Sequence, residues 1–273
     1  MSWAVVRKTV RDYLALTLVL MASVVLFEVL VVRILLEAAK DLELVREWLD
    51  RSLIKVFIQL ALGADLMGDL TPTTLSTLGL AHPLLYILCW TLVLTIATGV
   101  LAGEIGRGTA DLLLTLPVSR GAVYVSTTVV WWLALIPVSF APLLGLWLGE
   151  RAFPLSEPLD FSRLWRVSVN FLALNWSVAG LTMCVSSFVS RRGTAVAVAM
   201  AVLVVSDLIN LLVPFWKAVE PYAFLGFLHY FKPLVVLRSG QLPWGNMTVL
   251  LGVAVVTWLI GYRRFTRRDI PSV

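Results

Sequence analysis

Hydrophobic residues fall in long, nearly unbroken blocks along this chain, and polar residues gather in the gaps between them. A helix needs about 20 consecutive apolar residues to cross the hydrocarbon core of a bilayer. Six blocks reach or approach that length, over residues 13–36, 84–102, 123–148, 167–188, 195–215 and 246–262. The last is the shortest and leans on Trp244 and Tyr262, side chains suited to the membrane interface. Pro137 and Pro142 lie in the third, where each removes a backbone donor and predicts a kink. A cleaved signal peptide has an apolar core of about 7–15 residues. The first run, 14–32, is longer and meets no convincing small-x-small site before Arg33, so it is expected to stay as a span. The predicted fold is all-α, one polytopic membrane domain over residues 1–273 with six transmembrane helices.

The gaps have patterns of their own. In residues 1–12, Trp3, Val6 and Val10, with Tyr13 beyond, recur at helical spacing opposite Arg7, Lys8, Arg11 and Asp12, which predicts a short helix in the membrane surface. Residues 37–83 form a long outer segment whose Leu42, Val45, Leu49, Leu53, Val56 and Leu60 step by three and four. Glu43, Glu47, Asp50 and Arg51 occupy the other face, and Glu47 and Arg51 are spaced for an ion pair. An amphipathic helix on the outer membrane surface, or on the protein itself, is expected there. Phe224, Phe227, Tyr230 and Phe231, near Pro221 and Pro233, predict a re-entrant or interfacial outer segment anchored by its aromatic rings.

Composition reinforces the membrane reading: 59% of the 273 residues are hydrophobic and only 14% charged, against roughly 25% charged in soluble domains. The net charge of +5 does not point to nucleic acid, because the basic residues sit beside the hydrophobic blocks. With the amino terminus inside, residues 1–12, 103–121, 189–194 and 263–273 carry eleven of the 22 Lys and Arg in about half the length of the outer segments. Their density and position at span ends favour both termini in the cytoplasm. Cys89 and Cys184 are far apart and lack ligand spacing, so buried free thiols are expected rather than a disulfide or metal site.

The most informative stretch is residues 103–121. Glu104 and Arg107 are three apart and can pair on a helix; Thr109 can cap a short helix over 110–116, with Asp111 in its first turn. Pro117 ends that helix and Arg120 marks the return to the membrane. A short helix along the cytosolic surface, exposing charged residues, suits docking of a soluble partner; a plain turn-rich loop is the simpler reading of the same residues. The pattern Glu104, Gly108, Thr109, Leu112, Leu113, Pro117, Ser119 and Arg120 resembles the permease family of type-2 ABC transporters. The amphipathic start, which would be that family's elbow helix, the six-span layout and the basic tail at 263–270 extend the resemblance over nearly the whole chain. The long, charged outer segment 37–83 departs from the shorter connection of many relatives.

The resemblance implies an exporter-like membrane subunit of a bacterial plasma or inner membrane, paired as a homodimer or heterodimer. Its coupling helix would dock a separate ABC ATPase subunit. A phosphate loop needs Gly-x-x-x-x-Gly-Lys-Ser/Thr, and none of the five lysines directly follows a glycine. The chain is therefore expected to be no enzyme and to hold no cofactor of its own, ATP being bound by its partner. Asp207 and Asn210 share a helical face in the fifth span; with Asn175 they are candidates for a translocation path, although hydrogen bonds to Asn170, Asn175 or Ser177 are the favoured reading. Glu28, near the outer end of the first span, is expected to snorkel or to pair near Arg33. The four-residue spacing of Gly99 and Gly103, and of alanines from Ala195 to Ala201, permits close helix contact within or between subunits. An intramembrane enzyme is disfavoured, since His82 and His229 have no second ligand at helical spacing. A secondary transporter, or a structural subunit without a transport path, are the alternatives of other classes.

Overall fold

The computed structural model describes residues 1–103 and 119–268, and the described residues form an all-α bundle built on six long apolar helices. In chain order these are α1 (Trp3–Ala38), α5 (Pro83–Thr98, continued by a π-turn over Gly99–Gly103), α6 (Arg120–Ala152), α7 (Phe161–Phe188), α8 (Arg192–Leu212) and α10 (Trp244–Arg267). Shorter helices α2 (Leu42–Leu49), α3 (Ser52–Leu62), α4 (Pro72–Leu80) and α9 (Pro233–Ser239) join 3-10 turns at Lys217–Leu225 and Phe227–Tyr230 in an outer layer.

The six apolar blocks thus become six helices, most of them longer than the blocks because flanking polar turns continue the same backbone hydrogen bonding, while α8 is shifted three residues towards the amino terminus. Residues 3–12 are helical, as their spacing predicts, but they open α1 without a break instead of forming a separate element. On α1, Leu20, Val24, Glu28, Val32 and Leu35 face inward, while Leu14, Leu18, Ala22, Leu26, Leu30 and Ile34 stay exposed at four-residue steps. An apolar outer face of this kind, on helices of this length, has lipid as its solvent.

Glycines set how close the helices come. A Cβ on Gly145 of α6 would meet Val25 O at 2.6 Å, and one on Gly149 would meet Val29 Cα at 3.2 Å. At the other end of the same pair, Ser2 N–H donates to Ser126 Oγ at 2.8 Å, so α1 and α6 run parallel. Gly180 of α7 faces Ala254 and Thr257, and Gly261 of α10 faces Cys184, which makes α7 and α10 parallel as well. α7 is the central helix, packing against α5, α6, α8 and α10. Some of its polar side chains bond close by: the hydroxyls of Thr182 and Ser187 donate to carbonyls one turn back, and Asn175 Nδ2 donates to Ser139 Oγ of α6 at 3.0 Å, whereas Ser168 Oγ and Asn175 Oδ1 are buried without a partner among the described residues.

Pro137 and Pro142 both lie inside α6, which is helical throughout. The expected amphipathic helix of the outer segment is two helices, because Arg51, at φ −59° and ψ 128°, leaves the helical conformation between α2 and α3. That break separates Glu47 from Arg51. Among the described residues, the ion pairs of this segment are instead Lys40–Glu37 at 2.7 Å, Arg46–Glu43 at 3.9 Å, and Lys55 with Asp50 at 2.8 Å and Asp65 at 4.0 Å. All involve exposed or half-exposed partners and contribute little to stability. Cys89 and Cys184 are free, the first buried and the second half-buried.

Candidate functional site

Two places concentrate the chemistry, one at each end of the bundle. Residues 104–118 lie outside the described residues, and with them Glu104, Arg107, Gly108, Thr109, Asp111, Leu112, Leu113 and Pro117. The roots of that segment are described. On the first side, Gly99 gives up its Cβ space to the Tyr13 hydroxyl, and Ala102 N–H donates to Ser186 Oγ at 3.3 Å. On the second, Ser119 caps α6 by accepting from Ala122 N–H at 3.2 Å.

Arg120 donates to the carbonyl of Arg268. The Arg268 guanidinium in turn donates to Val189 O at 2.9 Å, to Ser187 O at 3.3 Å and to the Ser190 hydroxyl. A cation on the last carbonyls of α7 answers both the unpaired acceptors and the negative end of the helix dipole. The C-terminal ends of α5, α7 and α10 and the start of α6 are thereby knitted together at the two roots of the segment. The amino terminus joins them through Ser2 and Ser126. The role of Arg268 was hidden in the sequence, where it reads as one more basic residue of a tail.

At the opposite end, the outer layer closes over the bundle. Asn170 Nδ2 donates to Tyr230 O at 3.3 Å, and Phe227 N–H donates to Ser206 Oγ at 2.8 Å. Of the expected aromatic cluster, Phe231 is buried against Tyr86 and Phe171, whereas Phe224 is exposed. Lys232 Nζ donates to Leu60 O, at the end of α3, at 2.8 Å. Burial pulls its ammonium down to about 8. Gly63 turns there with φ +82°, and the Lys232 side chain fills the place where a Cβ would stand.

Under this layer lies a cavity of about 480 Å³, walled by α3, the α4–α5 junction and α8. Asp207 and Asn210 line it, as a shared face predicts, but Asn175 does not. The hydrogen bonds expected between these residues and α7 are absent among the described residues. Asn170 and Asn175 are bonded elsewhere, and Asp207 Oδ1 is buried without a partner. The reason is positional, since α8 turns Asp207 towards the cavity rather than towards α7.

Glu28 also departs from expectation. It neither snorkels nor pairs with Arg33, which bonds Glu37 instead; it is fully buried, with both carboxylate oxygens unpartnered among the described residues. It occupies space left by two glycines, since a Cβ on Gly79 or Gly145 would lie 2.6 Å from it. Helical geometry explains this: Glu28 lies on the inward face with Val24, Val31 and Val32, and Arg33 has rotated away from it.

These features define a multi-pass helical membrane protein. Residues 69–271 match a family described as a protein of unknown function (DUF2705), and the chain belongs to that family. The match runs from just before α4 to beyond α10. No curated protein matches the chain.

Proposed function

We propose that this chain is the membrane-spanning permease subunit of an ATP-driven transporter, an exporter that couples to a separate ATP-hydrolysing subunit through residues 103–121. The observation that carries the reading is the pattern Glu104, Gly108, Thr109, Leu112, Leu113, Pro117, Ser119 and Arg120, which resembles the docking segment of type-2 ABC permeases. Its setting supports the reading. Both roots of the segment are tied to neighbouring helix ends, through Ser186 and Arg268, so force on the segment would reach several spans at once.

Charge supports a cytoplasmic position for that end. Arg7, Lys8, Arg11, Arg191, Arg192, Arg263, Arg264, Arg267 and Arg268 lie at the helix ends on the same side of the bundle as the roots of the segment. Many basic residues of the opposite end are matched by carboxylates, as in Arg33–Glu37, Lys55–Asp50 and Arg163–Asp160. In this reading both termini are cytoplasmic, the membrane is a bacterial plasma or inner membrane, and a second permease, identical or related, completes the path.

The test is charge reversal. Glu104→Arg and Arg107→Glu should each reduce co-purification of the ATPase subunit at least fivefold while leaving the permease monodisperse on size exclusion. Undiminished co-purification, together with undiminished ATP-dependent transport in both variants, would sink the proposal.

A further inference from the structure

The cavity beneath the outer layer has a one-sided chemistry. Its wall is mostly hydrocarbon, and no lysine or arginine is among the described side chains that line it. Asp207 is the one carboxylate among those side chains, and its Oδ1 is buried and unpartnered among the described residues. His82 also lines the cavity, but its Nδ1 is engaged, accepting from Leu84 N–H at 3.2 Å. A buried acceptor without a donor is costly, and a cation is the partner that gains most from it.

The mouth is apolar too. Phe57, Val204 and Leu208 line the cavity while remaining 45%, 49% and 46% exposed, and Phe57 meets Phe215 at a ring separation of 6.0 Å. A ligand would therefore pass hydrocarbon side chains, on the side of the bundle, before reaching Asp207. The volume lies within the range of small-molecule sites. Glu28 offers no such place, because Gly79 and Gly145 pack against it.

We propose that this cavity binds an amphiphilic monocation, a primary ammonium on a hydrocarbon chain, with the ammonium on Asp207 Oδ1 and the chain against Ile58, Ala61, Leu208 and Leu211. Asn210, on the same face of α8, supplies a second polar contact for the headgroup. This names a cargo class for the proposed permease, and rests on that reading only for movement across the membrane. Binding itself belongs to this chain alone.

The experiment compares radiolabelled dodecylamine, dodecan-1-ol and dodecanoic acid on the purified chain in phosphatidylcholine nanodiscs, with binding to empty nanodiscs subtracted. Saturable binding is expected for the amine, at least tenfold tighter than for the alcohol or the acid. Asp207→Asn should abolish that preference. Ala61→Trp, which fills the cavity from the α3 wall and leaves Asp207 itself unchanged, should remove amine binding and keeps the test decisive if the first variant misfolds. Equal binding of the three probes, or an amine preference that survives in either folded variant, would overturn the proposal. No ATPase is present in this assay, so a failure of the docking reading would leave its outcome unchanged.

Discussion

Gly180→Leu should sharply reduce the yield of folded, monodisperse protein and lower its apparent melting temperature by roughly 6–12 °C. A Cβ at this position would lie 2.6 Å from Ala254 O and 3.0 Å from Ala254 Cα, both backbone atoms of α10 that cannot swing aside. The nearest movable atom, Thr257 Oγ1, would be 2.8 Å away. Close approach through small residues is the main source of helix association where lipid is as apolar as the side chains. Overpacking such a contact costs about 1–3 kcal/mol and at times more, a large part of a total stability of about 5–15 kcal/mol. For a chain of this size about 3 kcal/mol corresponds to the temperature shift given. Gly252→Leu is the control, because a Cβ there meets nothing within 4 Å and should change little. Equal melting of the two variants would show that α7 and α10 are not packed through Gly180.

Arg268→Ala should leave the bundle folded and yet reduce co-purification of the proposed ATPase subunit at least fivefold. Its guanidinium bridges Ser187 O, Val189 O and the Ser190 hydroxyl, and its own carbonyl receives Arg120. Hydrogen bonds to a charged group are worth about 1.5–3 kcal/mol when well sheltered, and less here because Arg268 is half-exposed. Loss of the fork therefore loosens the turn between α7 and α8 and the seat of Arg120 without unmaking the core. Arg268→Lys keeps the charge but cannot span the acceptors with a planar fork, so an intermediate loss is expected. Pull-down from solubilised membranes, with a melting curve of the same sample, separates the two effects. Undisturbed co-purification in the alanine variant would mean that this frame plays no part in holding residues 103–121.

Much of the fold was legible because block length alone separates a membrane span from a soluble helix. Each of the six apolar runs became one long helix, including the shortest at 246–262, which α10 extends at both ends. The outer layer was less legible. A step of three and four runs from Leu42 to Leu60 across the break at Arg51, and periodicity cannot sense a change of direction that preserves it. α4 and α9, of nine and seven residues, are too short for a periodic signal. Polar contacts were hardest, because their partners are remote in sequence. Asp207 and Asn210 were visible as a shared face, but the α3 wall opposite them lies some 150 residues earlier in the chain. Arg268 and its acceptors are about 80 residues apart, and the two glycines that bury Glu28 come from two different helices.

The central claim is that residues 103–121 receive a separate ATP-hydrolysing subunit, and capture at that segment in the living cell tests it most directly. With a photoreactive amino acid in place of Leu112, irradiation should join the chain to a protein carrying a Gly-x-x-x-x-Gly-Lys-Ser/Thr phosphate loop. The same substitution at Trp48, exposed on the outer layer, should not. Capture of no phosphate-loop protein from position 112, or equal capture from both positions, would contradict the claim.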